Sequence, residues 1–139
     1  MARGEILNIL LDTTVLIDIL KGDEKGIKKI DELRKTAILY TSTINIYEVL
    51  RGMQILDRNK DKHIEALQNL TRQLYVIPFT IEVAHKTSEI YASLKKKGIH
   101  IDEADYMIAG CCFSHGIDTI VTRNEKHFGK INGLHVINY

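Results

Sequence analysis

Five short apolar runs alternate with segments of helical periodicity along this chain of 139 residues. The first run, residues 6–11 (ILNILL), is apolar at all positions but one, which is typical of a strand covered on both faces. Strands separated by helices favour a parallel sheet with right-handed crossovers. We therefore predict an α/β fold, a three-layer sandwich with a central parallel sheet of about five strands flanked by helices. The other strands are predicted at residues 37–41, 75–79, 119–122 and 134–137.

Helical patterns fill the intervals between these strands. Thr13 or Thr14 is expected to cap a helix that runs through Leu20, and Ser42 or Thr43 to cap the next helix but one. No repeat or linker interrupts the pattern, so we expect a single domain over residues 1–139. Further helices are predicted at residues 25–35, along the apolar positions 64, 67, 70 and 74, at residues 83–97 and 102–113, and as one turn at residues 125–128.

Composition restricts the function classes. The formal net charge of +1 lacks the basic surplus of most polyanion-binding domains, so RNA binding would have to come from local patches. The apolar run at residues 9–20 contains Asp12 and Asp18 and is too short to span a bilayer, and no signal-peptide cleavage site follows it. Cys111 and Cys112 are adjacent and poorly placed to bond to each other, which favours a reducing cytoplasm.

Three acids, Asp12, Glu48 and Asp105, each lie where a predicted strand ends or a helix begins. In a parallel α/β fold such positions converge on one edge of the sheet. Carboxylates held close together repel one another, and a divalent cation relieves that cost. Oxygen donors suit Mg²⁺ or Mn²⁺, whereas Zn²⁺ prefers His or Cys, and the six histidines show no paired spacing. An acid of this kind taken alone is more often a helix cap or turn former than a metal ligand.

Four segments resemble, in order, the sequence blocks of the PIN-domain ribonucleases. They are LLDTTVLIDIL around Asp12, TSTINIYEVLRG around Glu48, DEADYMIAGCCFSHG around Asp105, and IVTRNEKHFGKINGLHVI near the C-terminus. The chain is most similar to the VapC toxins of type II toxin–antitoxin systems, and the resemblance extends over residues 6–137.

The resemblance implies a metal-dependent endoribonuclease in which Asp12, Glu48 and Asp105 are catalytic and together hold Mg²⁺ or Mn²⁺. Thr122 and Asn124 fall at a position where members of the family often have Asp. Because Asn124 is neutral, we expect three carboxylates and one tightly bound ion, with recruitment of a second ion by the substrate phosphate as the alternative. The resemblance also implies a homodimer and a small antitoxin whose C-terminal segment covers the cleft.

Polar residues near the acids have two interpretations each. Ser42 and Asn45 either organise the site around Glu48 or, in the case of Ser42, cap a helix. Asp102, three residues before Asp105, is either the N-cap of its helix or a further metal ligand. Asp18 is expected at the solvated surface.

Basic and aromatic residues are also divided between site and surface. Arg51, Arg123, Lys126 and Lys130 are candidates for contacts with RNA phosphates. His127 and Phe128 are expected to serve packing and surface. Tyr47, Tyr91 and Tyr106 are expected in the core or at a dimer face, and Ile55, Leu56 and Tyr91 at a helix-lined interface.

Three other functions compete with a nuclease toxin. An aspartate-based phosphohydrolase requires a second Asp two residues after the first, where this chain has Thr14. A non-catalytic PIN-like scaffold has no need of all three acids. A housekeeping RNA-processing nuclease would retain them, so the sequence leaves the choice between processing enzyme and toxin open, together with the RNA target.

Overall fold

The computed structural model describes residues 6–56 and 58–139. Within this part of the chain, five strands form one sheet in the order β3-β2-β1-β4-β5, and every neighbouring pair is parallel. The predicted α/β sandwich is confirmed. The elements are β1 (Leu7–Leu11), α1 (Thr13–Leu20), α2 (Glu24–Arg34), β2 (Ala37–Ser42), α3 (Thr43–Gln54), α4 (Lys60–Thr71), β3 (Tyr75–Ile77), α5 (Ile81–Lys96), α6 (Glu103–Ser114), β4 (Thr119–Val121), α7 (Glu125–Phe128) and β5 (His135–Ile137).

Strand β1 lies at the centre of the sheet and is covered on both faces, as its continuous apolar run predicts. Ile9, Leu10 and Leu11 have no exposed surface. Successive side chains of a strand point to opposite faces. Leu10 accordingly packs with α5 and α6, while Ile9 and Leu11 pack with residues of α1, α2, α3 and α4. The sheet thus separates two apolar cores.

The register of the three central strands brings their carboxyl ends to one edge. Leu11 is paired with Val121, so Asp12 and Thr122 are the next residues on neighbouring strands. The backbone N–H of Asp12 donates to the carbonyl of Val121 at 3.0 Å. On the other side of β1, the hydroxyl of Thr41 donates to the carbonyl of Leu11 at 2.9 Å. The sequence predicted that Asp12, Glu48 and Asp105 converge on this edge.

Two helix starts were predicted at threonine or serine caps, and one prediction is wrong. Asp12, rather than Thr13 or Thr14, occupies the N-cap position of α1, and its side chain makes no capping hydrogen bond. The two threonine hydroxyls are engaged in contacts with other elements, which a local capping rule does not anticipate. Ser42 is confirmed as the N-cap of α3, because its hydroxyl accepts from the backbone N–H of Asn45.

Apolar residues assigned to one interface lie on different layers. Leu56 lines a groove of about 570 Å³ together with residues of α1, α3 and α4. Tyr91 belongs to α5, on the opposite face of the sheet, where it packs edge-on against the buried Tyr106. Leu56 and Tyr91 therefore lie in different layers of the fold. Among the described helices, none is both long and apolar enough to cross a membrane.

Candidate active site

Asp12 is the most buried acid at the carboxyl edge, with 3% of its surface exposed. Its Oδ1 accepts from the side-chain amide of Asn45 at 3.0 Å, and its Oδ2 accepts from the hydroxyl of Thr122 at 2.6 Å. The donors come from α3 and from the end of β4, the elements that flank β1 and its following turn. Both carboxylate oxygens are thereby held in fixed directions.

Asn45 connects Asp12 to the start of α3. Its side-chain carbonyl accepts from the hydroxyl of Ser42 at 2.6 Å, and its amide nitrogen also lies 3.1 Å from the hydroxyl oxygen of Thr13. Asn45, Ser42 and Thr122 have no exposed surface. A buried network around Asp12 is therefore formed by Ser42, Asn45 and Thr122.

Glu48 lies one turn after Asn45 and approaches the same edge. Its Oε1 accepts from the hydroxyl of Thr13 at 2.6 Å, across 35 residues of sequence. Its Oε2 lies 3.7 Å from the guanidinium of Arg51, whose side chain is 60% exposed and stacks over Tyr47. Glu48 is thus oriented from the buried side by Thr13, with a solvent-exposed cation on its other side.

Asp105 lies in the first turn of α6 and contacts a residue that the sequence did not assign to the site. Its Oδ2 is 2.5 Å from Nδ1 of His127 and accepts from the amide of Asn124 at 3.4 Å. His127 was expected to serve packing and surface, and that expectation is wrong for its ring, although Phe128 is buried in the core as expected. His127 follows Asn124 by three residues in a helical turn, so both lie on one face. This spacing is the sequence signal that could have assigned His127 to the site.

Asp102 occupies the N-cap position of α6 but its side chain makes no capping hydrogen bond. It is 78% exposed, and its Oδ2 lies 3.8 Å from Nδ1 of His127. Three potential ligand atoms lie within 4.8 Å of one another, one each from Asp102, Asp105 and His127. The structure therefore brings Asp102 to the site as a potential ligand and gives no support to its interpretation as a side-chain cap.

The three predicted acids influence one another electrostatically. The pKa of Asp12 is raised to about 6, chiefly by burial and to a smaller degree by the nearby carboxylates of Asp105 and Glu48, against the opposing hydrogen bond from Thr122. Burial also raises the pKa of Asp105, against the opposing hydrogen bond and charge of His127. A divalent cation would relieve both effects, and the predominance of carboxylate oxygens fits Mg²⁺ or Mn²⁺.

Asp18 does not lie at the solvated surface as predicted, and its partner is Arg123. Asp18 is not solvated, because its side chain is only 13% exposed, lies 3.3 Å from Nε of Arg123, and accepts from the hydroxyl of Tyr139. Arg123 also stacks over Tyr139, and its backbone N–H donates to the hydroxyl of Thr14 at 3.0 Å. Arg123 therefore fixes the segment that follows β4, and its charge is already partnered. Lys126 and Lys130 are exposed, as a role in phosphate contact requires.

The chain is similar to a known protein family and to individual proteins with known names. Residues 9–134 match the family described as PIN domain. Ribonuclease VapC1 of Methanocaldococcus jannaschii is 34% identical over 124 residues, which cover 88% of this chain and 80% of that protein. The tRNA(fMet)-specific endonuclease VapC of Salmonella typhimurium is 27% identical over 131 residues, which cover 94% of this chain and 97% of that protein.

The fold agrees with this result. The crystal structure of DNA-bound VapBC from Salmonella typhimurium includes a chain that is similar to this one with a TM-score of 0.83 and 26% sequence identity. The similarity covers 96% of this chain and 98% of that chain. The likeness thus extends over almost the whole of both chains.

Proposed function

The chain belongs to the PIN-domain family, and from that premise we propose that it is a metal-dependent endoribonuclease and the toxin of a toxin–antitoxin pair. The observation that carries the proposal is one hydrogen-bond network at the carboxyl edge of the sheet that holds all three acids. It links Asp12 to Glu48 through Asn45 and Thr13. It links Asp12 to Asp105 through Thr122 and Asn124. Buried carboxylates are costly to the fold, chiefly because they are desolvated, and a bound divalent cation offsets that cost.

We assign Asp12, Glu48 and Asp105 as the residues that would hold Mg²⁺ or Mn²⁺. When bound, such an ion supplies a water of lowered pKa and offsets negative charge on the phosphoryl oxygen. Carboxylates suit this role because they are hard oxygen donors with lone pairs to spare beyond the hydrogen bonds that orient them.

The remaining residues position the acids and approach the substrate. Asn45 and Thr122 fix the two oxygens of Asp12 by donating to them, and Thr13 fixes Oε1 of Glu48. Arg51 lies beside Glu48 with an exposed guanidinium, where it is available to neutralise a phosphate of bound RNA. We expect Lys126 and Lys130 to contact further phosphates of the bound RNA.

The proposed partners follow from the same assignment. RNA is the substrate, a small antitoxin is the inhibitory partner, and we propose a homodimer as the working form. The Salmonella relative is named for its action on tRNA(fMet), so tRNA is the first substrate to test. Both cysteines are unbonded and buried, which is compatible with action in the reducing cytoplasm.

Cleavage of an RNA pool that includes tRNA tests the catalytic proposal directly. Wild-type protein should cut RNA in Mg²⁺ or Mn²⁺, lose activity in excess EDTA, and leave cut ends that map to defined positions. Asp12→Asn should be inactive under each condition. Equal cleavage by wild type and Asp12→Asn, or full activity in EDTA, would overturn the proposal.

Expression in cells separates a toxin from a housekeeping nuclease. A toxin should arrest growth when it is expressed alone, and co-expression of a small protein encoded beside it should restore growth. A processing enzyme would leave growth unaffected while still cutting RNA in vitro. The Asp12→Asn variant is the control, because it should be harmless in either case.

A further inference from the structure

The Asp105 side of the metal site contains a nitrogen donor as well as carboxylates. Nδ1 of His127 lies 2.5 Å from Oδ2 of Asp105 and 3.8 Å from Oδ2 of Asp102. The three ligand atoms converge from the start of α6 and from α7, two elements that are separated along the chain by β4. Position 124, which follows β4, contributes a neutral amide in place of a further carboxylate.

We propose that His127 is a metal ligand in this chain, that it acts with Asp105 and Asp102, and that it makes the site favour Mn²⁺ over Mg²⁺. The inference rests on the proposed function, because it concerns the ion that the nuclease would use. The imidazole ring is 29% exposed, so it is neither sequestered in the core nor fully solvated. Its Nδ1 edge faces the carboxylates at hydrogen-bond distance, so a shared ion would replace the contact between Nδ1 and Asp105 and move the two groups apart.

The chemistry of the donor set gives the direction of the preference. Mg²⁺ demands oxygen ligands and retains several waters, so an imidazole nitrogen contributes little to its binding. First-row transition ions accept imidazole readily, and Mn²⁺ combines that with an affinity for carboxylates. A site with two carboxylates and one imidazole on the same side therefore discriminates in favour of Mn²⁺.

A competing role for His127 is to hold Asp105 in place by a hydrogen bond. In that case its nitrogen never contacts the ion, and its removal would affect Mg²⁺ and Mn²⁺ equally. The amide of Asn124 lies 3.2 Å from the same ring nitrogen, so a purely hydrogen-bonded arrangement has its partners at hand. The two roles are separated by asking whether a nitrogen is bonded to the ion.

Pulsed electron paramagnetic resonance on the full chain loaded with Mn²⁺ alone answers that question without any measurement of activity. We expect ¹⁴N modulation from one imidazole in the wild type. The signal should disappear in His127→Ala and His127→Gln and persist in His100→Ala, which alters an exposed histidine before α6. Mn²⁺ binding without nitrogen modulation in the wild type, or unchanged modulation in His127→Ala, would overturn the proposal.

Calorimetric titration with Mn²⁺ and with Mg²⁺ supplies the affinities. His127→Ala should weaken Mn²⁺ binding by at least about tenfold and Mg²⁺ binding by clearly less. An equal loss for both ions would assign His127 to positioning Asp105 and reject its role as a ligand. Circular dichroism and thermal melting of the metal-free variants show whether they retain the fold, and the wild-type spectrum decides the question if they do not.

These readouts distinguish the inference from the proposed function. Nitrogen modulation in a chain that cuts no RNA would reject the nuclease and keep the ligand assignment. Metal-dependent cleavage by a chain without nitrogen modulation would reject the ligand assignment and keep the nuclease.

Discussion

The Asp12 and Asp105 sides of the proposed metal site are built differently. Both oxygens of Asp12 accept from side chains that have no exposed surface, Asn45 and Thr122. Asp105 instead contacts His127, which is partly exposed and belongs to a helix of only four residues. The first side is set by the register of central strands, whereas the second depends on how α6 and α7 meet.

This difference suggests that the two sides of the metal site have different functions. Hydrogen bonds from buried donors cost little to maintain once the core has folded, and they fix the direction of a carboxylate before a ligand arrives. A partly exposed carboxylate and imidazole pair can rearrange when an ion binds. We therefore expect the Asp12 side to determine whether an ion is held, and the Asp105 side to determine which ion is preferred.

The largest effect expected is on catalysis and is common to both sides. Asp12→Asn, Glu48→Gln and Asp105→Asn should each lower RNA cleavage by at least about a hundredfold, because each removes charge that places the ion. The measurement is the initial rate of cleavage at saturating metal. Asp31→Asn, at an exposed position of α2, is the matched control. Near-wild-type, metal-dependent cleavage by Asp105→Asn would break the three-acid assignment.

The next effect concerns the stability of the metal-free Asp12 side. The pKa of Asp12 rises from 3.8 to about 6 on folding, so the wild type loses stability as the pH rises between those values. The full shift in the pKa of Asp12 corresponds to a loss of roughly 3 kcal/mol in the free energy of unfolding above about pH 7. Asp12→Asn should recover about 2 kcal/mol of this, because its amide group cannot accept from both existing donors.

Urea unfolding in EDTA measures that difference. The gain in the free energy of unfolding for Asp12→Asn should be full above about pH 7. It should be lost below about pH 3, where Asp12 is protonated in both states and the variant should be about 1 kcal/mol less stable than wild type because of the lost hydrogen bond. A variant that is less stable than wild type at the higher pH would show that the hydrogen bonds of the ionised carboxylate outweigh the cost of its burial.

A smaller effect is expected when one donor to Asp12 is removed. Thr122→Val preserves shape but removes the hydroxyl that donates to Asp12 and accepts from the backbone N–H of Asn124. We expect a loss of about 1 to 2 kcal/mol in the free energy of unfolding and about a tenfold loss of cleavage. Thr119→Val, on the same strand, is the control, because the hydroxyl of Thr119 bonds only to neighbouring Asp118 among the described contacts. Equal effects of both variants would remove the special role of Thr122.

The smallest effect is expected at the exposed end of the Asp105 side. Asp102→Ser should reduce cleavage by less than about tenfold, because Asp102 is largely solvated and its side chain caps nothing. The ratio of cleavage rates in Mn²⁺ and Mg²⁺ is the more sensitive measurement. A hundredfold loss would move the third principal ligand from Asp105 to Asp102 and reverse the comparison between a fixed and an adaptable side.

Local sequence patterns were sufficient to predict the fold and its functional edge. Continuous apolar runs predicted buried strands, and the alternation with helices predicted their parallel arrangement. The boundaries moved by a few residues for local reasons: β3 ends at Ile77 because Pro78 has no N–H to pair. The position of Asp12 followed from the same rule, because the residue after a parallel strand lies at the carboxyl edge. The rule does not determine the position of Asp105, because α6 follows α5 rather than a strand.

Side-chain direction between distant segments could not be predicted in this way. Asp18 was expected in solvent because helical geometry turns it away from Asp12, yet residues more than a hundred positions later cover it. His127 was assigned, together with Phe128, to packing and surface. Only the docking of α7 against α6 brings its ring to Asp105.

The amino-acid sequence by itself determined the order of elements, the parallel sheet and the edge at which three acids gather, because these depend on periodicity within short segments. The tertiary structure decided which donors orient Asp12, which cation Asp18 neutralises, and that an imidazole joins the carboxylates. Those contacts depend on the angles at which separate helices pack and on the rotamers that the packing permits, and neither quantity is encoded within a single segment.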